Sequence, residues 1–136
     1  MASSTDRGLA LETASLGGLH WFGIALALIS AAVHLVLGAR MAPSAMGISF
    51  LLAGLGFVGA VVLILLNYRR RAVYAVGIPF VLVQILLWYL LNFAWGPKAF
   101  PADVGTLGAI DKVAQLLLLG VLIALLRQPA GSNATL

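Results

Sequence analysis

Apolar residues run in four long blocks along the chain, broken by short polar segments. Leu19–Leu37 carries no formal charge, and neither do Met46–Leu66, Ala72–Phe93 and Val113–Leu126. A helix that crosses a bilayer needs about 20 mostly apolar residues. The first three blocks meet this directly. The fourth meets it when extended back to about Leu107, at about 1.5 Å per residue, which draws Asp111 and Lys112 into the membrane or to its edge. The blocks lack the alternation of a membrane barrel, and backbone groups in lipid must bond within their own segment. The pattern therefore predicts an all-α fold, a four-helix transmembrane bundle over residues 16–128, with spans at about 18–38, 46–66, 72–93 and 107–127. Residues 1–15 and 129–136 read as polar tails, the first ending in a helix cap at Ser15.

The breaks between blocks have physical causes. Arg40 and Pro43 close the first span, and Asn67, Tyr68 and Arg69–Arg71 make a tight turn after the second. Gly96, Pro97, Pro101 and Gly105 mark a loop before the fourth. Pro79 lacks a backbone donor and predicts a local bend early in the third span. The first block is long, and Arg7 is offset by Asp6 and Glu12, so it reads as a retained helix rather than a cleaved signal.

Composition agrees with lipid as the solvent: 62% of residues are hydrophobic and 9% charged, whereas soluble domains carry about 25% charged residues. The absence of cysteine excludes disulfides, thiolate metal sites and cysteine nucleophiles. The net charge of +4 sits largely in Arg69, Arg70 and Arg71, which reads as a cytoplasmic anchor rather than as a nucleic-acid surface. With both termini inside, the inner side holds Arg7, Arg69, Arg70, Arg71 and Arg127, and the outer side Arg40, Lys98 and Lys112. This bias predicts that both termini are cytoplasmic. Trp21, His20, Tyr68, Tyr74, Trp95 and Phe100 fall near span ends, where aromatic rings anchor.

Small residues permit close approach between helices in lipid. Gly23, Ala27 and Ala31 share one side of the first span, and Ala53, Gly56 and Ala60 form a similar stripe in the second. Both suit bundle packing or a dimerisation face. His34 lies on the small-residue side of the first span. In the third span Gln84, Trp88 and Asn92 recur at four-residue steps; in the fourth Asp111 and Gln115 do. Polar side chains in hydrocarbon are costly unless bonded, so these stripes should face the bundle. On this topology His34, Gln84, Asn92, Asp111 and Gln115 converge on the outer half of the bundle.

The chemistry of that cluster has two readings. His34 is a structurally bonded histidine or a proton or ligand site. Asp111 is a helix-start acid, with Lys112 reaching for the headgroups, or it turns inward to pair with His34. Ser30 and His34, four residues apart, suggest a local hydrogen bond, with the hydroxyl on the preceding turn. One histidine, one carboxylate and two amides are too few good ligands for a closed zinc site. His20 and His34 lie about 21 Å apart along a helix and cannot share a haem iron. No nucleophile–base pair, metal motif or phosphate loop is present, so no enzyme, metal or cofactor is expected. Asn133-Ala134-Thr135 matches a glycosylation acceptor pattern but falls in the tail expected inside.

Several stretches occur together: Leu19-His20-Trp21, Ala32 to Gly38, Tyr68 to Arg71, Val76 to Phe80 with Val83-Gln84-Ile85, Trp88-Tyr89, and Ile110 to Gln115. This combination resembles a family of small, uncharacterised four-span membrane proteins of halophilic archaea. The resemblance spans most of residues 19–127 and implies the same topology and a prokaryotic plasma membrane; it supplies no activity. Small multidrug transporters share the size and span number but rely on a glutamate in the first span, which is missing here. The expected function is a non-catalytic accessory or self-associating membrane subunit, with lipid and a homo-oligomer or larger membrane complex as partners and no nucleic acid. The alternative is a small transport or proton-linked protein using the polar cluster.

Overall fold

The computed structural model describes residues 10–129. Asp6, Arg7 and the Asn133 acceptor pattern lie outside the described residues. Four helices follow in order: α1 (Gly18–Met41), α2 (Ala45–Leu65), α3 (Arg70–Tyr89) and α4 (Thr106–Arg127). A π-helical turn, Leu90–Ala94, extends α3. Four segments, Gly18–Met41, Ala45–Leu65, Arg70–Ala94 and Thr106–Arg127, are each long and apolar enough to cross a membrane. The protein is an all-α, four-span membrane bundle.

α1 is the centre of the bundle, packed against α2 on one side and α4 on the other. α3 leans on α4 and touches α2 only lightly. About half of the most apolar window of α1 and of α4 is buried, against 11% for α3. The closest approach is between α1 and α2. A Cβ on Gly38 would lie 2.8 Å from the Leu51 backbone nitrogen, and one on Gly54 2.7 Å from Leu35 Cγ. Gly23 meets Val121 of α4, and Gly56 meets the Phe80 ring of α3, so the small-residue stripes are used within the bundle. Replacing Gly38 with valine should destabilise by about 1–3 kcal/mol, the usual cost of forced overpacking. A Cβ added at Gly59 would meet nothing within 4 Å. Gly59→Ala should therefore stabilise by up to about 1 kcal/mol through helix propensity. Thermal unfolding in mild detergent checks both signs.

The turns between helices are tight. Ser44 caps α2, its hydroxyl accepting from Gly47 N at 3.0 Å. Between α2 and α3 the chain reverses through Asn67 (φ 54°) and Arg69 (φ 49°), both left-handed. Asparagine tolerates that region; arginine does so at a cost. The arginine cluster is more than an anchor. Arg69 is exposed, but Arg70 is buried and donates to Ile64 O at 2.9 Å, Ser15 Oγ at 2.5 Å and Glu12 O at 2.8 Å. Arg71 donates to Leu126 O and Gln128 O, each at 2.9 Å, and so closes the C-terminal end of α4. Ser15, expected as a helix cap, instead serves Arg70; the N-cap position of α1 is Gly17.

Candidate functional site

At the end of the bundle away from the arginine turn, six polar side chains from three helices form one network. α4 supplies Asp111, Lys112 and Gln115, α1 supplies Ser30 and His34, and α3 supplies Gln84. Ser30 and Gln115 are 0% exposed, Asp111 4%, His34 5% and Lys112 9%. Lys112 Nζ donates to Asp111 Oδ2 and to Gln115 Oε1, both at 2.6 Å. Ser30 Oγ donates to Asp111 Oδ1 at 2.5 Å. Gln115 Nε2 donates to Gln84 Oε1 at 2.9 Å and to Ser30 Oγ at 3.3 Å. His34 Nδ1 lies 2.9 Å from Ser30 O, 3.4 Å from Ser30 Oγ and 3.6 Å from Asp111 Oδ1.

The direction of every bond follows from groups that can act in only one way. An ammonium only donates, so it fixes Gln115 Oε1 as an acceptor and turns the Gln115 nitrogen outward. That nitrogen must meet an acceptor, which fixes Gln84 Oε1 and leaves Gln84 Nε2 with no partner among the described residues. A backbone carbonyl only accepts, so His34 Nδ1 carries a hydrogen. Ser30 spends its single hydrogen on Asp111. The carboxylate therefore receives a hydroxyl and an ammonium, and the imidazole stands beside it. The Trp88 ring lies 5.5 Å from Lys112 Nζ and adds a cation–π contact. Phe50 and Phe57 flank His34, with ring centroids at 5.2 and 5.7 Å.

Of the residues expected here, His34, Gln84, Asp111 and Gln115 meet. Asn92 does not: its Nδ2 donates to Trp88 O at 2.8 Å on its own helix. The π turn from Leu90 onward rotates Asn92 off the face shared by Gln84 and Trp88. Two members of the network have roles that their spacing does not reveal. Lys112 turns into the bundle rather than toward the headgroups, and Ser30 bonds across to α4 rather than to its own preceding turn. Tyr74 and His20, expected as interfacial anchors, are buried at 1% and 5% exposure, whereas Trp21, Tyr68, Trp95 and Phe100 remain exposed. Among the described residues, no three His, Asp or Glu side chains gather where a metal ion would be held.

Residues 8–126 match a family of unknown function, DUF7475. The chain belongs to that family. The match runs through all four helices and includes every residue of the polar network. No curated protein matches the chain. No solved structure matches it either. Membership in the family brings no activity with it.

Proposed function

We propose that this is a small, non-catalytic, proton-linked protein of the prokaryotic plasma membrane, working through His34, Ser30, Asp111 and Lys112. The observation that carries this reading is the inward turn of Lys112. Thr106 begins α4, so Lys112 sits only about 9 Å along the helix from its start, close enough for its stem to reach headgroups. Its ammonium instead lies inside protein at 2.6 Å from Asp111. Stability alone is a weak reason for such a pair, because apolar side chains of similar volume often stabilise as well or better. Ionisable groups at membrane depth commonly mark proton or ion pathways.

The bond directions say what a proton would do. Asp111 and Lys112 neutralise each other, and with His34 Nδ1 donating to Ser30 O, Nε2 is the ring position that a proton would take. One added proton, on His34 or on Asp111, leaves the network with net positive charge. On Asp111 it also removes the charge that strengthens the Ser30 bond between α1 and α4. Protonation therefore couples to the contact between the two most buried helices. Proteoliposomes with a pH-sensitive dye inside test this: after an acid jump outside, the protein should speed internal acidification. Asp111→Asn and His34→Gln should return the rate to that of protein-free vesicles. A wild-type rate equal to protein-free vesicles would sink the reading.

A second reading, an accessory or self-associating subunit, is favoured by α3, which exposes Val76, Leu82, Val83, Leu86 and Leu87. A single cysteine at Val83 should then give disulfide-linked dimers in membranes, whereas one at Leu117 should not. The arginine bias supports cytoplasmic termini, and the resemblance to halophilic archaeal proteins supports an archaeal cell. Single cysteines at Ser4, Ser44, Ala99 and Ser132, treated with an impermeant thiol reagent on intact cells, should label at 44 and 99 alone. Labelling at 4 or 132 instead reverses the orientation.

A further inference from the structure

All four helices line a second space, in the half of the bundle nearer the arginine turn. Its volume is about 70 Å³, and its walls include Gly23, Ala27, Phe57, Ala60, Tyr74 and Phe80. A water needs about 10–15 Å³ on this measure, so the cavity has room for about five water-sized groups. Its lining is almost wholly apolar, which keeps such a cavity dry. The exceptions are His20 and Tyr74, whose ring centroids lie 6.4 Å apart; Tyr74 is 1% exposed and has a buried hydroxyl without a hydrogen-bond partner among the described residues. Buried tyrosine hydroxyls ordinarily find a partner.

A separate groove of about 590 Å³ opens on the outside of the bundle between α2 and α3, lined by Leu52, Val76, Val83 and Gln84 among others. Phe80 lines both spaces. Its ring packs edge-on against Phe57 at 5.2 Å, and its tip rests over Gly56, where a Cβ would come within 2.9 Å. The ring therefore stands between the inner space and a groove that faces the hydrocarbon. Tyr74 lies about 6 Å along α3 from Arg70, and Phe80 about 9 Å further. The space thus runs from the membrane edge toward its middle, as an amphiphile lies in one leaflet.

We propose that cavity and groove together hold one hydrocarbon chain of a single-chain amphiphile taken from the bilayer. Its oxygen-bearing head accepts a hydrogen bond from the Tyr74 hydroxyl, and its tail passes the Phe80 ring into the groove. Arg70, one turn before Tyr74, is buried with its fork already engaged by Ile64 O, Ser15 Oγ and Glu12 O, so the head is held by Tyr74. The cavity alone is too small for such a molecule, which is why the Phe80 ring must yield. The site meets the polar network only at Gln84, which lines the groove, and does not depend on that network's function.

The probe is a photoreactive, diazirine-bearing hexadecanoic acid added to the purified full chain in nanodiscs, with labelled peptides mapped by mass spectrometry. Labels should appear on peptides containing Ala27, Phe57 or Phe80, and unlabelled hexadecanoic acid should compete them away. Hexadecane, which has no head, should compete at least about fivefold less well, and Tyr74→Phe should weaken the acid by about fivefold, the share of one hydrogen bond. Ala60→Leu should fill the cavity and remove the interior label while leaving label at lipid-facing Leu28 and Leu116, which line neither space. Label confined to lipid-facing positions, interior label unchanged in Ala60→Leu, or equal competition by hexadecane would overturn the proposal. The competition arms need no variant, so they decide even where a substitution impairs folding.

Discussion

Asp111→Ala will destabilise the bundle by about 3–5 kcal/mol, the loss seen when one partner of a buried ion pair is removed. Among the described residues the carboxylate is the only acceptor of formal charge in contact with Lys112, and Ser30 spends its hydrogen there too. Without it the ammonium keeps Gln115 Oε1 and the Trp88 ring, and no counter-charge within hydrogen-bond reach among the described residues. Asp111→Asn should cost less, because an amide oxygen still accepts one of the two bonds. Lys112→Met should also be milder, since it removes the group that most needs a partner and leaves Asp111 with Ser30 and the neighbouring imidazole. The informative quantity is the cycle: Asp111→Ala with Lys112→Met should be more stable than the sum of the single losses implies, by about 0.5–3 kcal/mol. His34→Ala should couple to Asp111→Ala in the same sense and more weakly, across 3.6 Å rather than 2.6 Å. Unfolding in mixed detergent micelles measures all of these. Strict additivity would show that the contacts carry no energy.

The number and placement of the helices were legible because lipid leaves few solutions for long uncharged runs. The nearness of His34 and Asp111 was legible as well, by counting crossings: the end of the first span and the start of the fourth share one side. Lys112 was hidden for the opposite reason. A lysine close to a helix start reads as one that reaches outward, and only the packing of α4 against α1 and α3 shows it held inside. Ser30 was hidden because a serine in an apolar helix has a bond available on its own preceding turn, so nothing in spacing reveals a partner 81 positions away. Asn92 was misplaced by a single π turn, which breaks the four-residue step on which the face was counted. The cavity, and Tyr74 within it, depends on side-chain volumes from all four helices at once, and no local pattern encodes that sum.

Arg70→Met will lower stability by about 3 kcal/mol, a fraction of three charge-assisted bonds at about 1.5–3 kcal/mol each. The full sum does not apply because the segment that Arg70 holds is largely exposed, and water replaces part of what is lost. The guanidinium fork joins two separate pieces of chain: the end of α2 through Ile64 O, and the segment before α1 through Ser15 Oγ and Glu12 O. Glu12 N also donates to Leu65 O at 2.6 Å, so that segment is pinned on both sides. Removing the fork should release it while leaving the four helices formed. Amide exchange at Glu12 and Leu16 should therefore rise sharply, and exchange in the middle of α1 and α4 should stay near wild type. Arg70→Lys keeps the charge, yet a single ammonium cannot reach three acceptors arranged for a planar fork. It should recover no more than about one of the three bonds. Full recovery of both melting temperature and exchange protection in Arg70→Lys would show that the charge of Arg70 matters here and its geometry does not.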